Sequence, residues 1–204
     1  MTTTSQTIES SFTTALAVLL VATVYVVIVH FRAKVSWVDA WRRTGLTLGT
    51  ARWWLISFGL LVPWLTYVWI SYQLMPVSAQ DTSSPYRILL GQGLRADVIA
   101  AAIAYGVVSA GFGEELLFRG LIGGALGRRM KLWKANAIQA LVFLAPHLLI
   151  LLVKPEAALM LPIGVFGLGL LTGWLRLRSG SVGPAIVVHG IGNAFVGILA
   201  ATAA

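Results

Sequence analysis

Cysteine is absent from all 204 residues. Its absence excludes disulfides, thiolate zinc sites, a cysteine nucleophile and S-palmitoylation on this chain. Charge is scarce too: 11% of residues are Asp, Glu, Lys or Arg, and only 7 are acidic. The short alternating apolar pattern of membrane β-strands is missing, which excludes a closed barrel, the one non-helical way of spanning lipid. The segment Met1–Ser11 holds no Lys or Arg and has Glu9 as its only charge. A secretory signal peptide wants a basic start, so the first apolar stretch is expected to be a retained anchor with its N-terminus outside. The Thr/Ser-rich residues ahead of it are expected to be mobile.

Apolar side chains dominate instead, at 58% of the residues, with a mean hydropathy of +0.85. A soluble domain of this length cannot hide that much apolar surface, so the solvent for most of it is lipid. A membrane helix needs roughly 20 apolar residues, and six stretches qualify: Phe12–His30, Trp53–Tyr72, Asp97–Gly127, Ala135–Val153, Ala157–Trp174 and Val182–Ala203. The expected fold is all-α, a polytopic membrane protein of about six transmembrane helices in a single domain over residues 1–204. Between the first two spans, Val35, Trp37, Val38 and Trp41 interleave with Lys34, Asp39, Arg42 and Arg43, the pattern of a short helix lying in the interface. Gly180-Ser181-Val182-Gly183-Pro184 reads as a turn, with Pro184 in the first turn of the last helix.

The net charge of +8 follows the connections between spans. Arg32, Lys34, Arg42, Arg43 and Arg52 fall in one, Arg128, Arg129, Lys131 and Lys134 in the next but one, and Arg176 and Arg178 in the next but one again. The alternate connections hold only Arg87, Arg95 and Lys154, while Arg119 lies inside a span. The positive-inside rule puts the three basic connections in the cytoplasm and both termini outside. The basic balance therefore reports topology and contact with the lipid bilayer, with no nucleic-acid partner. The expected location is an integral one, in a prokaryotic plasma membrane.

Ionisable groups inside the membrane are expensive, by roughly 2.5–3.5 kcal/mol each on insertion scales, so those present need a reason. The third span carries Glu114, Glu115 and Arg119, the fourth His147, and the last His189 and Asn193. At about 1.5 Å per residue, Glu114, His147, His189 and Asn193 reach a similar depth below the basic surface. His189 and Asn193 share one helix face. Glu115 and Arg119 have the spacing of a local ion pair, which in an α-helix leaves Glu114 turned about 100° away. Pro146 weakens the helix just ahead of His147. A hydrolytic site, a proton or ion pathway, and a metal site of Glu114, His147 and His189 all remain open at this point.

Three motifs narrow the choice. Glu114-Glu115-Leu-Leu-Phe-Arg119, Phe143-Leu-Ala-Pro-His147 and His189-Gly-Ile-Gly-Asn193, in that order, resemble the three motifs of the CAAX protease and bacteriocin-processing family, also called the abortive-infection or CPBP family. The likeness covers residues 97–203, includes the lead-in Ser179–Ala185, and leaves the spans 12–30 and 53–72 without a motif. Pro146, Gly190 and Gly192 are mild departures. The resemblance implies an intramembrane endopeptidase in which Glu114 and His147 hold and deprotonate a water. It further implies that His189 and Asn193 stabilise the oxyanion and that Glu115 and Arg119 brace the site. The implied partner is a membrane-embedded peptide or protein substrate, CAAX-like or other, and no cofactor is implied. A metal at Glu114, His147 and His189 is the less favoured alternative, since the His-Glu-x-x-His pattern of zinc proteases is missing. A non-catalytic scaffold or bacteriocin-immunity protein of the same fold is the second reading. A proton-coupled transporter would want two related halves with broken helices, which the chain lacks. No serine accompanies a histidine at suitable depth for a serine intramembrane protease. An opening towards the cytoplasm is expected from the depth argument.

Overall fold

In lipid a backbone must satisfy its own hydrogen bonds, and each long apolar run here does so as a helix. The computed structural model describes residues 3–78, 84–152 and 154–203, and no strand occurs among them. Helix α1 spans Thr4–Ala33. It opens on a capping box: the Thr3 hydroxyl accepts from the Gln6 amide at 3.3 Å, and the Thr3 amide donates to Gln6 Oε1 at 2.9 Å. The mobile segment expected ahead of the first span is therefore helical from Thr4, because Thr3 and Gln6 satisfy first-turn donors that would otherwise fray. The short helix α2, Trp37–Thr44, is capped by Ser36 at its start and by Gly45, at φ 83°, at its end. It occupies the place expected for an interfacial helix.

Helix α3 covers Ala51–Leu74, and a 3-10 turn at Pro85–Leu89 follows. Helix α4, Ala96–Gly127, begins as an α-helix, widens to a π-helix over Ala104–Gly123, and closes as an α-helix. Helix α5 runs over Leu132–His147 and tightens into a 3-10 turn at Leu148–Leu152. Helices α6, Met160–Ser179, and α7, Gly183–Thr202, complete the chain. Among the described residues, α1, α3, α4, α5 with its 3-10 extension, and α7 are the 5 helices long and apolar enough to cross a membrane by that measure. The remaining expected span corresponds to α6. It starts at Met160 because Pro155–Ala158 forms a 3-10 turn of its own, and its 20 residues reach about 30 Å, the thickness of a hydrocarbon core.

The ends of the bundle are distinct. At one end the three basic connections meet: Arg128 Nη1 and Arg176 Nη2 both donate to the Arg43 carbonyl, at 3.3 and 3.2 Å. There, too, the Val182 amide donates to the Gly45 carbonyl at 2.9 Å. At the other end Thr4 donates to Asp97 at 3.0 Å, and the amides of Gly91 and Gly93 donate to Ala200 and Ala201 at 3.0 and 2.8 Å. Large apolar side chains such as Leu16, Leu20, Leu55 and Val62 point outwards, the composition a lipid-facing surface requires.

At the centre α4 packs on α7, and glycine makes the contact close. A Cβ on Gly190 would lie 3.0 Å from Val107 Cα, and one on Gly111 would lie 2.9 Å from Gly190 Cα. The two backbones touch, which brings the polar residues of α4 against those of α7. Close approach through small residues is the usual means of packing helices where lipid offers no hydrophobic drive.

Candidate active site

Pro146 has no amide proton to offer the helix, and α5 ends immediately after it, at His147. His147 Nδ1 lies 2.8 Å from the Phe143 carbonyl. A carbonyl only accepts, so Nδ1 carries the proton and Nε2 is left as the basic nitrogen. Phe143 is almost completely buried and ties the site together. The Arg119 guanidinium lies 3.9 Å from its ring centroid, and the rings of His147 and His189 lie at 4.6 and 5.9 Å.

The carboxylates come from the π-helical part of α4. Arg119 Nη1 is 3.1 Å from Glu115 Oε1, and both side chains are fully buried. The same Glu115 oxygen accepts from His189 Nδ1 at 2.7 Å. Glu114, turned from this pair as the spacing predicts, lines the cavity, and its Oε2 lies 3.9 Å from His189 Nε2. Adjacent carboxylates thereby address the two nitrogens of one imidazole. Glu115 fixes the ring with its proton on Nδ1, while Glu114, about one-third exposed, is open to the cavity. Glu114 Oε2 is buried without a hydrogen-bond partner, while the side chain as a whole lines the cavity.

Asn193 lies one turn beyond His189, and its Oδ1 accepts from the Tyr86 hydroxyl at 2.8 Å. Burial, with Tyr105 and Glu114 nearby, pushes the Tyr86 hydroxyl well above its ordinary range, so it stays a donor. That bond occupies the amide oxygen and leaves the Asn193 Nδ2 hydrogens available. Sequence reasoning missed Tyr86. It sits in a connection 107 positions before Asn193, and neither a helical period nor an intramembrane charge marks it out.

Glu114, His147, His189 and Asn193 line one cavity of about 390 Å³, together with Phe143, Tyr86 and Tyr105. Glu115 and Arg119 lie behind that lining, fully buried. The cavity wall continues to Met75, Ser84, Lys154 and Ala157, towards the end opposite the basic connections. The expected opening towards the basic surface has no counterpart among the lining residues described, none of which belongs to a basic connection. Among the described residues, no group of three or more His, Cys, Asp or Glu side chains is placed to hold a metal ion.

The family model described as type II CAAX prenyl endopeptidase Rce1-like matches residues 96–195. No curated protein and no solved structure matches the chain.

Proposed function

We propose, on the premise that the chain belongs through residues 96–195 to the Rce1-like family of type II CAAX prenyl endopeptidases, and so is a membrane endopeptidase, that Glu114 and His147 activate the attacking water. A peptide bond in lipid has no water, and a polar cavity has to supply one. In this reading Glu114 takes a proton from the water as its oxygen bonds to the scissile carbonyl carbon. Glu114 Oε2, buried and without a partner, supports that role, and the basic His147 Nε2 holds the water from the other side. The carbonyl oxygen becomes an oxyanion, to which Asn193 Nδ2 donates, joined by His189 Nε2 when the ring carries a second proton beside the one on Nδ1. Collapse of the intermediate breaks the C–N bond, and the proton held by Glu114 passes to the departing amine. Glu115, bonded to His189 Nδ1 and paired with Arg119, sets the imidazole in place. No step calls for a metal or a cofactor.

The observation that carries the reading is the convergence of Glu114, His147, His189 and Asn193 on one cavity, with the supporting pair buried behind it. The substrate is a membrane-associated peptide or protein, CAAX-like or other. The decisive experiment is single-turnover cleavage of a membrane-anchored peptide by purified enzyme and by Glu114→Gln. Gln keeps the shape and removes the base, so the rate should fall about 10²–10⁴-fold with the melting temperature unchanged. Full activity in Glu114→Gln would end the reading. A folded wild-type chain that cleaves nothing would favour the non-catalytic scaffold or immunity protein.

A further inference from the structure

The basic end of the bundle gathers cations that the catalytic site does not use. Arg176, in the last turn of α6, is buried, and its Nη2 donates to the Arg43 carbonyl at 3.2 Å. Arg128, exposed just beyond α4, donates from Nη1 to the same carbonyl at 3.3 Å and from Nη2 to the Tyr25 hydroxyl at 2.5 Å. Two guanidiniums thus meet at one carbonyl oxygen and repel each other, and Arg43 and Arg129 add to the repulsion on Arg128. Among the described residues no carboxylate pairs with Arg43, Arg128 or Arg176, because Asp39 is taken by Arg42, Asp97 by Arg95 and Glu115 by Arg119. Arg176 Nε is buried without a partner. A buried cation without a counter-charge is costly, and this part of the chain supplies none.

Two glycines make room for the cluster. A Cβ on Gly45 would collide with Arg176 Nε, and one on Gly124 would lie 3.2 Å from Arg176 Nη2 and 3.4 Å from Arg128 Nη1. The depth is that of lipid headgroups. Trp174 precedes Arg176 by two positions and packs edge-on against Trp53, with ring centroids 5.4 Å apart, and tryptophan of this kind marks the membrane interface. We propose that Arg43, Arg128 and Arg176 form a binding site for a phosphate group, carried by an anionic lipid headgroup or by free phosphate. Arg128 commits one hydrogen each from Nη1 and Nη2, and its remaining donors stay on an exposed side chain. Arg43 is half-buried, and its guanidinium has no protein acceptor among the described residues. These two side chains reach the anion, and the planar fork of arginine matches phosphate oxygens. Arg176 is too buried to touch it and acts through its charge, which is poorly screened in such a setting. The bound anion draws the ends of α2, α4 and α6 together where their arginines otherwise push apart. The proposal is independent of the endopeptidase reading.

The test uses the full chain, delipidated in an uncharged detergent. Phosphatidylglycerol, phosphatidylcholine or inorganic phosphate is added at constant ionic strength. Native mass spectrometry counts the lipid bound, and thermal unfolding reports its effect. Phosphatidylglycerol should saturate at one molecule per chain and raise the melting temperature, with phosphatidylcholine inert. Arg128→Gln removes charge-assisted hydrogen bonds, so the affinity should fall about tenfold or more. Arg43→Gln should weaken binding as well; it breaks no hydrogen bond of its side chain, so it decides the matter even if Arg128→Gln does not fold. Arg178→Gln, an exposed cation of the same end, should bind as the wild type does. A stabilisation seen only with phosphatidylglycerol assigns the site to a lipid headgroup, and one that inorganic phosphate reproduces in full assigns it to free phosphate. Equal losses in Arg128→Gln and Arg178→Gln, or lipid uptake that never saturates, would overturn the proposal, because the basic face would then attract anions only diffusely. Unchanged binding in both Arg43→Gln and Arg128→Gln would overturn it too.

Discussion

Tyr86 and Asn193 share one hydrogen bond in the cavity wall, and in the proposed mechanism that bond decides which end of the Asn193 amide meets the substrate. On the proposed mechanism Asn193→Ala removes an oxyanion donor, so kcat should fall about 10²–10³-fold with KM little changed. Tyr86→Phe keeps the ring and loses only the positioning bond, worth about 0.5–1.5 kcal/mol. It should lower kcat by about tenfold or less. If Tyr86 acts through Asn193, adding Tyr86→Phe to Asn193→Ala should cost nothing further, and steady-state kinetics of the double variant checks this. Two independent, additive losses would show that Tyr86 acts elsewhere. Arg119 belongs to another class. Its guanidinium faces Glu115 and the Phe143 ring in a fully buried setting. Arg119→Ala leaves a carboxylate buried without its cation, and breaking such a pair costs about 3–5 kcal/mol. The expected outcome is a lower melting temperature and poorer yield, measured by thermal unfolding in detergent. Unchanged stability would mean that the pair contributes nothing to the fold.

Two helices decide whether the residues meet. Helix α4 carries both carboxylates on its π-helical stretch, and α7 carries His189 and Asn193. Their separation is set where Gly190 crosses Val107 and Gly111. Gly190→Ala puts a methyl 3.0 Å from Val107 Cα and 3.3 Å from the Gly106 carbonyl, where only backbone could give way. Overpacking of this kind costs about 1–3 kcal/mol. Because His189 is the preceding residue, the displacement also disturbs its contact with Glu115. Gly190→Ala should therefore lose turnover as well as thermal stability, with both read on the same purified sample. Wild-type kcat in that variant would show that the crossing has slack. The π stretch was not legible in the sequence: Ala104–Gly123 is apolar and glycine-rich, without a period that separates it from an α-helix. The end of α5 was partly legible, since Pro146 marks the place where His147 closes the helix.

The whole molecule is a bundle with two unlike ends. Arg128 and Arg176 converge on the α2 terminus and tie the basic connections together, which suits a face held against anionic lipid. The opposite end is poor in basic residues and carries the start of α1 and the end of α7.

The sequence by itself determined what is local and compositional: lipid as the solvent, helices as the only structure, the spans, the helix at Trp37–Thr44, and which polar residues needed an explanation. It also held the Thr3–Gln6 capping box, overlooked beneath a Thr/Ser-rich composition. Tertiary structure alone decided which residues touch. The packing of α4 on α7 brought Glu114 to the far nitrogen of His189, and Tyr86 reached Asn193 across 107 positions. Composition fixes the medium each segment must live in. Helix phase, glycine crossings and voids depend on the simultaneous fit of several segments, and no single stretch of sequence contains that fit.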